Sequence, residues 1–269
     1  MIRVAAVQMN CGADLARNLG RADELLAEAA ARNVRLALLP ENSVFIGARD
    51  EDKLAYAEES GCGPIQEFLA DAAKRHRLWL VVGSLPLKSP LPGKCFGGCV
   101  VFDDQGRQRA TYRKIHLFDV DLPACDQRYR ESATMDQGHE PVSLETPAGR
   151  LGLTICYDLR FPELYRRLAA EGVTVFAVPA AFTEVTGKAH WRTLLRARAI
   201  ENLAFVVAAA QHGVHPNGRQ THGHSMIIDP WGQVLAVQAD GDGVVDALID
   251  IQQPVRLRRE FPVLSQRQM

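Results

Sequence analysis

Short apolar runs of strand character alternate along this chain with segments of helical spacing, and about eleven runs are strand-like, too many for one ordinary sheet. Ile2 to Met9 opens the series. Leu15, Leu19, Ala22, Leu26 and Ala29 then recur at helical spacing, with Asp14 placed to cap the helix. Val34 to Leu39 is the second strand, halted by Pro40-Glu41-Asn42. A helix over about Pro64 to Arg75 leads into a strand from Leu78 to Gly83. Cys95 to Phe102 and Gln108 to Tyr112 read as a hairpin across Asp103-Asp-Gln-Gly106. Leu151 to Ile155, Val173 to Pro179 and the very apolar Leu203 to Ala210 read as buried strands, with a helix over about Ala189 to Asn202 before the last. Ser225 to Asp229 and Val234 to Val237 form a second hairpin. Gly243 to Ile249 is the last strand, followed by a polar tail carrying Phe261 and Leu264.

Parallel-type strand–helix units mixed with hairpins predict mixed sheets, and the strand count predicts two of them, stacked and flanked by helices. No internal repeat and no linker rich in Gly or Ser divides the chain, so one domain over residues 1–269 is expected, with its tail from about residue 250 at a subunit contact. A net charge of −1 gives no electrostatic basis for binding nucleic acid or an anionic membrane. No apolar run has the length of a membrane span, and the one at Met1 to Val7 is too short for an export signal. The six cysteines (11, 62, 95, 99, 125 and 156) show no C-x-x-C spacing, which predicts reduced thiols in a cytoplasmic setting.

Three ionisable residues end three of the predicted strands. Glu41 follows Arg35-Leu-Ala-Leu-Leu-Pro40, Lys114 follows Ala110-Thr-Tyr-Arg113, and Cys156 follows Leu151 to Ile155 where a helix opens at Pro162. Each has an ordinary reading: Glu41 as a cap, Lys114 as a surface lysine, Cys156 as a small buried hydrophobe. In open α/β sheets, however, the carboxyl ends of strands line the functional crevice. A carboxylate beside a thiol is placed to take its proton, and an ammonium beside an acyl oxygen stabilises the charge that develops there. The backbone N–H of Tyr157 is a candidate second donor to that oxygen.

Leu39-Pro-Glu41-Asn, Tyr112-Arg-Lys114-Ile-His-Leu-Phe-Asp119 and Leu153-Thr-Ile-Cys156-Tyr-Asp-Leu-Arg160-Phe-Pro-Glu163 resemble the three signature blocks of the nitrilase superfamily of carbon–nitrogen hydrolases. The likeness continues through Pro179 to Thr183, Thr186 to Trp191, Leu195 to Asn202 and Gly223 to Gly232. It implies a four-layer α-β-β-α sandwich with two mixed sheets, a homodimer or higher homo-oligomer, and a Glu-Lys-Cys triad that needs no metal or organic cofactor. On that resemblance Glu41 is the general base, Lys114 the oxyanion stabiliser and Cys156 the nucleophile. Glu131 occupies the place of a further family glutamate that holds the lysine; an ordinary loop acid is the other reading. The reaction implied is hydrolysis of a small-molecule amide to acid and ammonia through a thioester.

The stretches Phe182 to Trp191 and Arg196 to Glu201 resemble the branch whose amidases act on amides of 2-oxo dicarboxylic acids. Such a substrate carries a carboxylate, and a guanidinium binds carboxylate in a bidentate way. Arg160 is the candidate, with pairing to Glu163 at the helix start as the alternative. Phe182 and Thr183 are expected in the pocket wall, while the loop from Asp121 to Arg130 matches no pattern that fixes substrate length. Nitrile or carbamoyl-amide hydrolysis by the same triad, or a catalytically silent scaffold, are the competing functions. His212, His215, His222 and His224 cluster without an acidic or thiol ligand among them, so no metal site is expected there.

Overall fold

The structure, a computed structural model, describes residues 1–122 and 127–268; Cys125 and the terminal Met269 lie outside the described residues. Seventeen strands, β1 to β17 in chain order, occur among the described residues. The first large sheet runs in the order β17 (Gly243–Ile249), β1 (Ile2–Gln8), β2 (Leu36–Leu38), β3 (Trp79–Lys88), β4 (Cys95–Phe102) and β5 (Gln108–Arg113), with β8 (Met135–Asp136) also on β4. The second runs β16 (Val234–Gln238), β15 (Ser225–Ile228), β12 (Phe205–Ala210), β11 (Val175–Ala180), β10 (Gly149–Leu153) and β9 (Val142–Thr146). In each, three parallel strands are flanked by antiparallel ones: β1, β2 and β3 in the first, β10, β11 and β12 in the second. Both sheets are therefore mixed, as the alternation of crossover units and hairpins predicts.

Side-chain alternation makes the layers. Val4, Ala6, Leu36, Leu38, Val81 and Val101 of the first sheet share a core with Leu151, Leu153, Val175, Ala177, Val206 and Ala208 of the second. Their neighbours Ala5, Val7, Ala37, Leu80 and Val100 face the other way, onto the apolar stripes of α1 (Leu15–Ala31) and α2 (Pro64–His76). Each fully buried leucine there, such as Leu26 and Leu69, contributes about 2 kcal/mol of apolar burial. On the far side, α3 (Pro162–Ala170) packs Leu164 and Leu168 onto the second sheet, beside Leu195 and Ala199 of the later helix over Arg192–Asn202. The result is an α-β-β-α sandwich with two sheet-lined cores.

Local chemistry sets the ends. The Asp14 side chain accepts from Arg17 N at 3.0 Å and caps α1. The helix expected from Ala189 begins instead as a single turn α4 (Glu184–Thr186), passes through a π turn over Gly187–Trp191, and becomes regular as α5 (Arg192–Asn202). The expected polar tail contains α6 (Gln253–Glu260), with Pro254 in its first turn. Not anticipated were β8, β9, which pairs antiparallel with β10, and two short antiparallel pairs: β6 (Asp119–Leu122) with β7 (Gln127–Arg130), and β13 (His212–Val214) with β14 (Gln220–His222).

Candidate active site

Glu41 is delivered by β2. The chain leaves the sheet at Leu38, Pro40 fixes the turn, and Glu41 comes back under the second sheet, only 4% exposed. Gly83 makes room for this turn: a Cβ there would stand 2.2 Å from the carbonyl oxygens of both Leu39 and Pro40. The β3 strand, expected to stop at this glycine, instead runs on to Lys88 past a register shift between Val82 and Leu85. Asn42, in the left-handed region at φ 55°, donates its N–H to Ser84 Oγ at 2.8 Å. The Gln211 side chain donates to the Glu41 carbonyl at 2.9 Å. The carboxylate itself accepts from Lys114 Nζ at 2.8 Å and from the backbone N–H of Ala181 at 2.9 Å.

Lys114 leaves β5 with its backbone N–H on Gly97 and its carbonyl on Gly138 N–H. Its side chain is 2% exposed. Nζ donates to Glu41 and to both oxygens of Glu131, at 2.7 and 2.8 Å, so its three hydrogens are spent on two carboxylates. Glu131 opens a 3₁₀ turn and is steadied by Phe118 N–H at 2.6 Å.

Cys156 stands where β10 gives way to a 3₁₀ turn over Cys156–Arg160. Its φ of 46° places a non-glycine residue in the left-handed region, a strained turn that the Asp158 carboxylate holds in place. Asp158, fully buried, accepts from Ile155 N–H at 2.8 Å, from Tyr112 Oη at 2.7 Å and from His116 N–H at 3.0 Å, and lies 2.7 Å from His116 Nδ1. One carboxylate thus clamps the cysteine turn to the segment that carries Lys114.

The electrostatics follow from burial. Burial by itself lowers the pKa of Lys114, but Glu131 and Glu41 reverse this and hold it above the ordinary lysine value. The Cys156 thiol is pushed well above the usual thiol range, first by burial and then by the Glu41 charge, with Lys114 and the Ala181 N–H pulling the other way. These neighbours make the thiol hold its proton more firmly than a free thiol does, with a carboxylate beside it that can take that proton.

All eight residues singled out in the sequence, Glu41, Lys114, Glu131, Cys156, Tyr157, Arg160, Phe182 and Thr183, line one open cleft. Phe182 is buried against Trp191, with ring centroids 4.9 Å apart, and Thr183 caps α4 by accepting from Thr186 N. Tyr157 stands edge-on to Phe118 at 5.0 Å. Arg160 lies over the rings of Phe182 and Tyr157, at 5.2 and 5.9 Å, and its Nη1 is 3.3 Å from His190 Nδ1. Among the described residues it pairs with no carboxylate, so the alternative contact with Glu163 is not made.

Sequence reading missed three other parts of the cleft, the Ala181 N–H, the aromatic pair Phe118 and Tyr129, and Arg219, and it missed the buried Asp158 behind the cysteine turn. Asp158 sits inside the cysteine motif itself, two residues past the thiol. Arg219 carries no local signal, because it reaches the cleft through the β13–β14 hairpin. The four clustered histidines have separate partners: His215 bonds to the Cys11 carbonyl and Thr221, His212 to Asp242, and His222 to Glu184, while the His224 ring stacks on His222.

A family profile described as "Carbon-nitrogen hydrolase" matches residues 3–259. The deaminated glutathione amidase of Yersinia enterocolitica is 40% identical over 263 residues, 97% of this chain and 91% of that protein. Among solved structures, the Caenorhabditis elegans NitFhit protein superposes with a TM-score of 0.92 at 39% identity; the match takes in 99% of this chain and 65% of that one. An amidase from Nesterenkonia sp. AN1, 27% identical with a TM-score of 0.80 over 97% of this chain and 98% of that one, was solved as a mutant with acrylamide added at its active-site cysteine.

Proposed function

The chain belongs to the carbon–nitrogen hydrolase family, and we propose that it is a cysteine amidase whose substrate is deaminated glutathione. The observation that carries this reading is the Arg160 guanidinium, unpaired with any carboxylate among the described residues and held in the same cleft as Cys156, Glu41 and Lys114. An amide whose acyl half ends in a 2-oxo acid supplies the missing carboxylate. The name of the 40%-identical Yersinia relative supports the same assignment.

In the proposed reaction Glu41 takes the Cys156 proton as the sulfur attacks the amide carbon. The oxyanion is held by Lys114 and the Tyr157 N–H. Because the Lys114 hydrogens are already committed, one bond to Glu131 must yield as the oxyanion forms, so Glu131 is the positioning partner that releases and recaptures the ammonium. The proton on Glu41 then passes to the leaving nitrogen as the C–N bond breaks. With deaminated glutathione that nitrogen belongs to a cysteinyl-glycine dipeptide; with a primary amide it leaves as ammonia. Water, deprotonated by Glu41, attacks the thioester carbon, and the C–S bond breaks to return the thiol. Phe182 and Thr183 form the wall on the acyl side. The chain's own residues complete this scheme, so no metal or organic cofactor is assigned a step.

2-Oxoglutaramate shares the oxo-acid half and is the second substrate to consider, as Arg160 serves both. Residues 1–269 are read as one hydrolase unit that works as a homodimer. Exposed Trp231 and Phe261, with ring centroids 5.8 Å apart, and exposed Ile200 and Val255 support a subunit contact that includes the C-terminal segment. No helix among the described residues is long and apolar enough to cross a membrane. The buried free thiols of Cys11, Cys95 and Cys99 support a reducing, cytoplasmic setting.

The test is amine or ammonia release from deaminated glutathione, 2-oxoglutaramate, glutamine, a carbamoyl amino acid and an aliphatic nitrile. Fastest turnover is expected with deaminated glutathione, and with a slow substrate an acyl adduct on the intact protein that is lost in Cys156→Ala. Turnover that survives Cys156→Ala, or that favours the nitrile, would overturn the proposal.

A further inference from the structure

Arg160 is not the only cation in the cleft without an acid. Lys53, Arg49, Arg130 and Arg219 also line it. Arg49 is neutralised by Asp52 at 2.8 Å and Arg130 by Asp121 at 2.8 Å. Lys53 and Arg219, both half-buried, have no carboxylate partner among the described residues. A half-buried guanidinium left without an anion in a cleft is a binding feature as much as a structural one.

The position of Arg219 is set by its turn. The backbone carbonyl of Arg219 accepts from His215 N–H at 2.9 Å and its own N–H donates to Asn217 Oδ1 at 3.0 Å, while Thr221 of the same hairpin bridges to Thr183. The guanidinium lies 4.6 Å over the Tyr129 ring. From there the rings continue: Tyr129 to Phe118 at 4.9 Å, Phe118 to Tyr157 at 5.0 Å, and Arg160 over Tyr157 at 5.9 Å. Two arginines therefore stand at opposite ends of a ribbon of three aromatic rings.

We infer that Arg219 forms a second anion subsite that takes the terminal carboxylate of the amine half of the substrate, so that the preferred substrate is a 2-oxo-acyl peptide with a carboxylate at each end. This inference rests on the amidase reading above. Arg160 takes the acid of the acyl half. The thiol-bearing middle of the dipeptide lies along Tyr129 and Phe118, where sulfur and ring faces attract. The second subsite does nothing for a primary amide, whose leaving group is uncharged and short. It therefore selects peptide-like amides over 2-oxoglutaramate.

The experiment compares deaminated glutathione with its C-terminal glycinamide, which differs only in the terminal charge. The wild-type enzyme is expected to prefer the acid about tenfold in kcat/KM, chiefly through KM, because a charge-assisted contact is lost. In Arg219→Gln the acid-to-amide preference collapses toward one, and in Arg219→Lys part of it returns. A wild-type enzyme indifferent to the terminal charge, or an Arg219→Gln variant that keeps the preference, overturns the subsite. Failure of the amidase reading shows differently, as no turnover of either peptide. The subsite is then read by calorimetry on Cys156→Ala protein with N-glutaryl-glycylglycine and its terminal amide. Tighter binding of the acid that is lost with Arg219→Gln supports the assignment, and equal binding overturns it.

Discussion

The backbone N–H of Ala181 donates to the Glu41 carboxylate at 2.9 Å, and this bond crosses from one sheet to the other. Glu41 follows β2 of the first sheet and Ala181 follows β11 of the second. Lys114 comes from the Glu41 side and Cys156 from the Ala181 side, so the site lies on the seam between the two sheets. The carboxylate proposed as the base is oriented by the sheet that carries the proposed nucleophile.

Glu41→Gln separates the two effects of that carboxylate. Amide turnover is expected to fall by about a thousandfold, as for loss of a general base. The Glu41 charge also raises the Cys156 pKa, whereas Lys114 lowers it. Removing the carboxylate leaves the ammonium alone beside the sulfur, so the thiol becomes more acidic. Alkylation by iodoacetamide followed against pH is expected to reach its midpoint at lower pH in Glu41→Gln than in the wild type; an unchanged or higher midpoint contradicts this.

Asp158→Asn tests the clamp. The carboxylate serves Tyr112, His116 and Ile155 from a position with no exposure to solvent. An amide replaces one acceptor oxygen by a donor that faces other donors. A loss of about 3 kcal/mol in urea unfolding is expected, in the range for breaking a buried charge-assisted network. kcat should fall as well, because the cysteine turn and the Lys114 segment lose their common tie.

Gly83→Ala is expected to cost about 3 kcal/mol or more and to remove activity, since its methyl group would meet two backbone carbonyls at 2.2 Å. Relief of that clash moves the Pro40 turn and Glu41 with it. Chemical denaturation and turnover are the two readouts, and a variant with wild-type values in both would contradict the packing argument.

Stability should decline in alkaline solution. Burial pushes the Cys11 thiol up to about 12 and the Cys95 thiol up to about 11, against about 8.5 for a thiol in an unfolded chain. Folded-state pKa values above the unfolded one mean that the native state keeps protons the unfolded state releases. Their contribution is complete below about pH 8.5 and is lost as pH rises through 11 and 12. Melting temperature is expected to drop between pH 9 and 11, and Cys11→Ala should flatten that drop.

The βα units, both large hairpins and the strand ends carrying Glu41, Lys114 and Cys156 were legible in the sequence because apolar periodicity and turn residues mark them locally. Within the second sheet β11 and β12 were especially plain, since they are buried along their whole lengths, whereas the half-exposed edge strand β9 went unread. What escaped was non-local or masked by charge. α6 has Arg256, Arg258, Arg259 and Glu260 in eight residues and read as a tail, yet Arg258 donates to the carbonyls of Val173 and Asn202 and fastens it to the body. Gly83 reads as a strand terminator, and only the approach of Pro40 explains it. Arg219 reads as part of a histidine-bearing turn, and its place over Tyr129 depends on two hairpins meeting.

The site on the seam also bears on the life of the chain before it is complete. Glu41 and Lys114 precede Cys156 in the sequence, and the N–H that orients Glu41 comes later still, at Ala181. A half-assembled molecule therefore has the thiol and the carboxylate in separate halves, and the two meet only when the sheets dock. Turnover is in this sense a certificate of finished assembly.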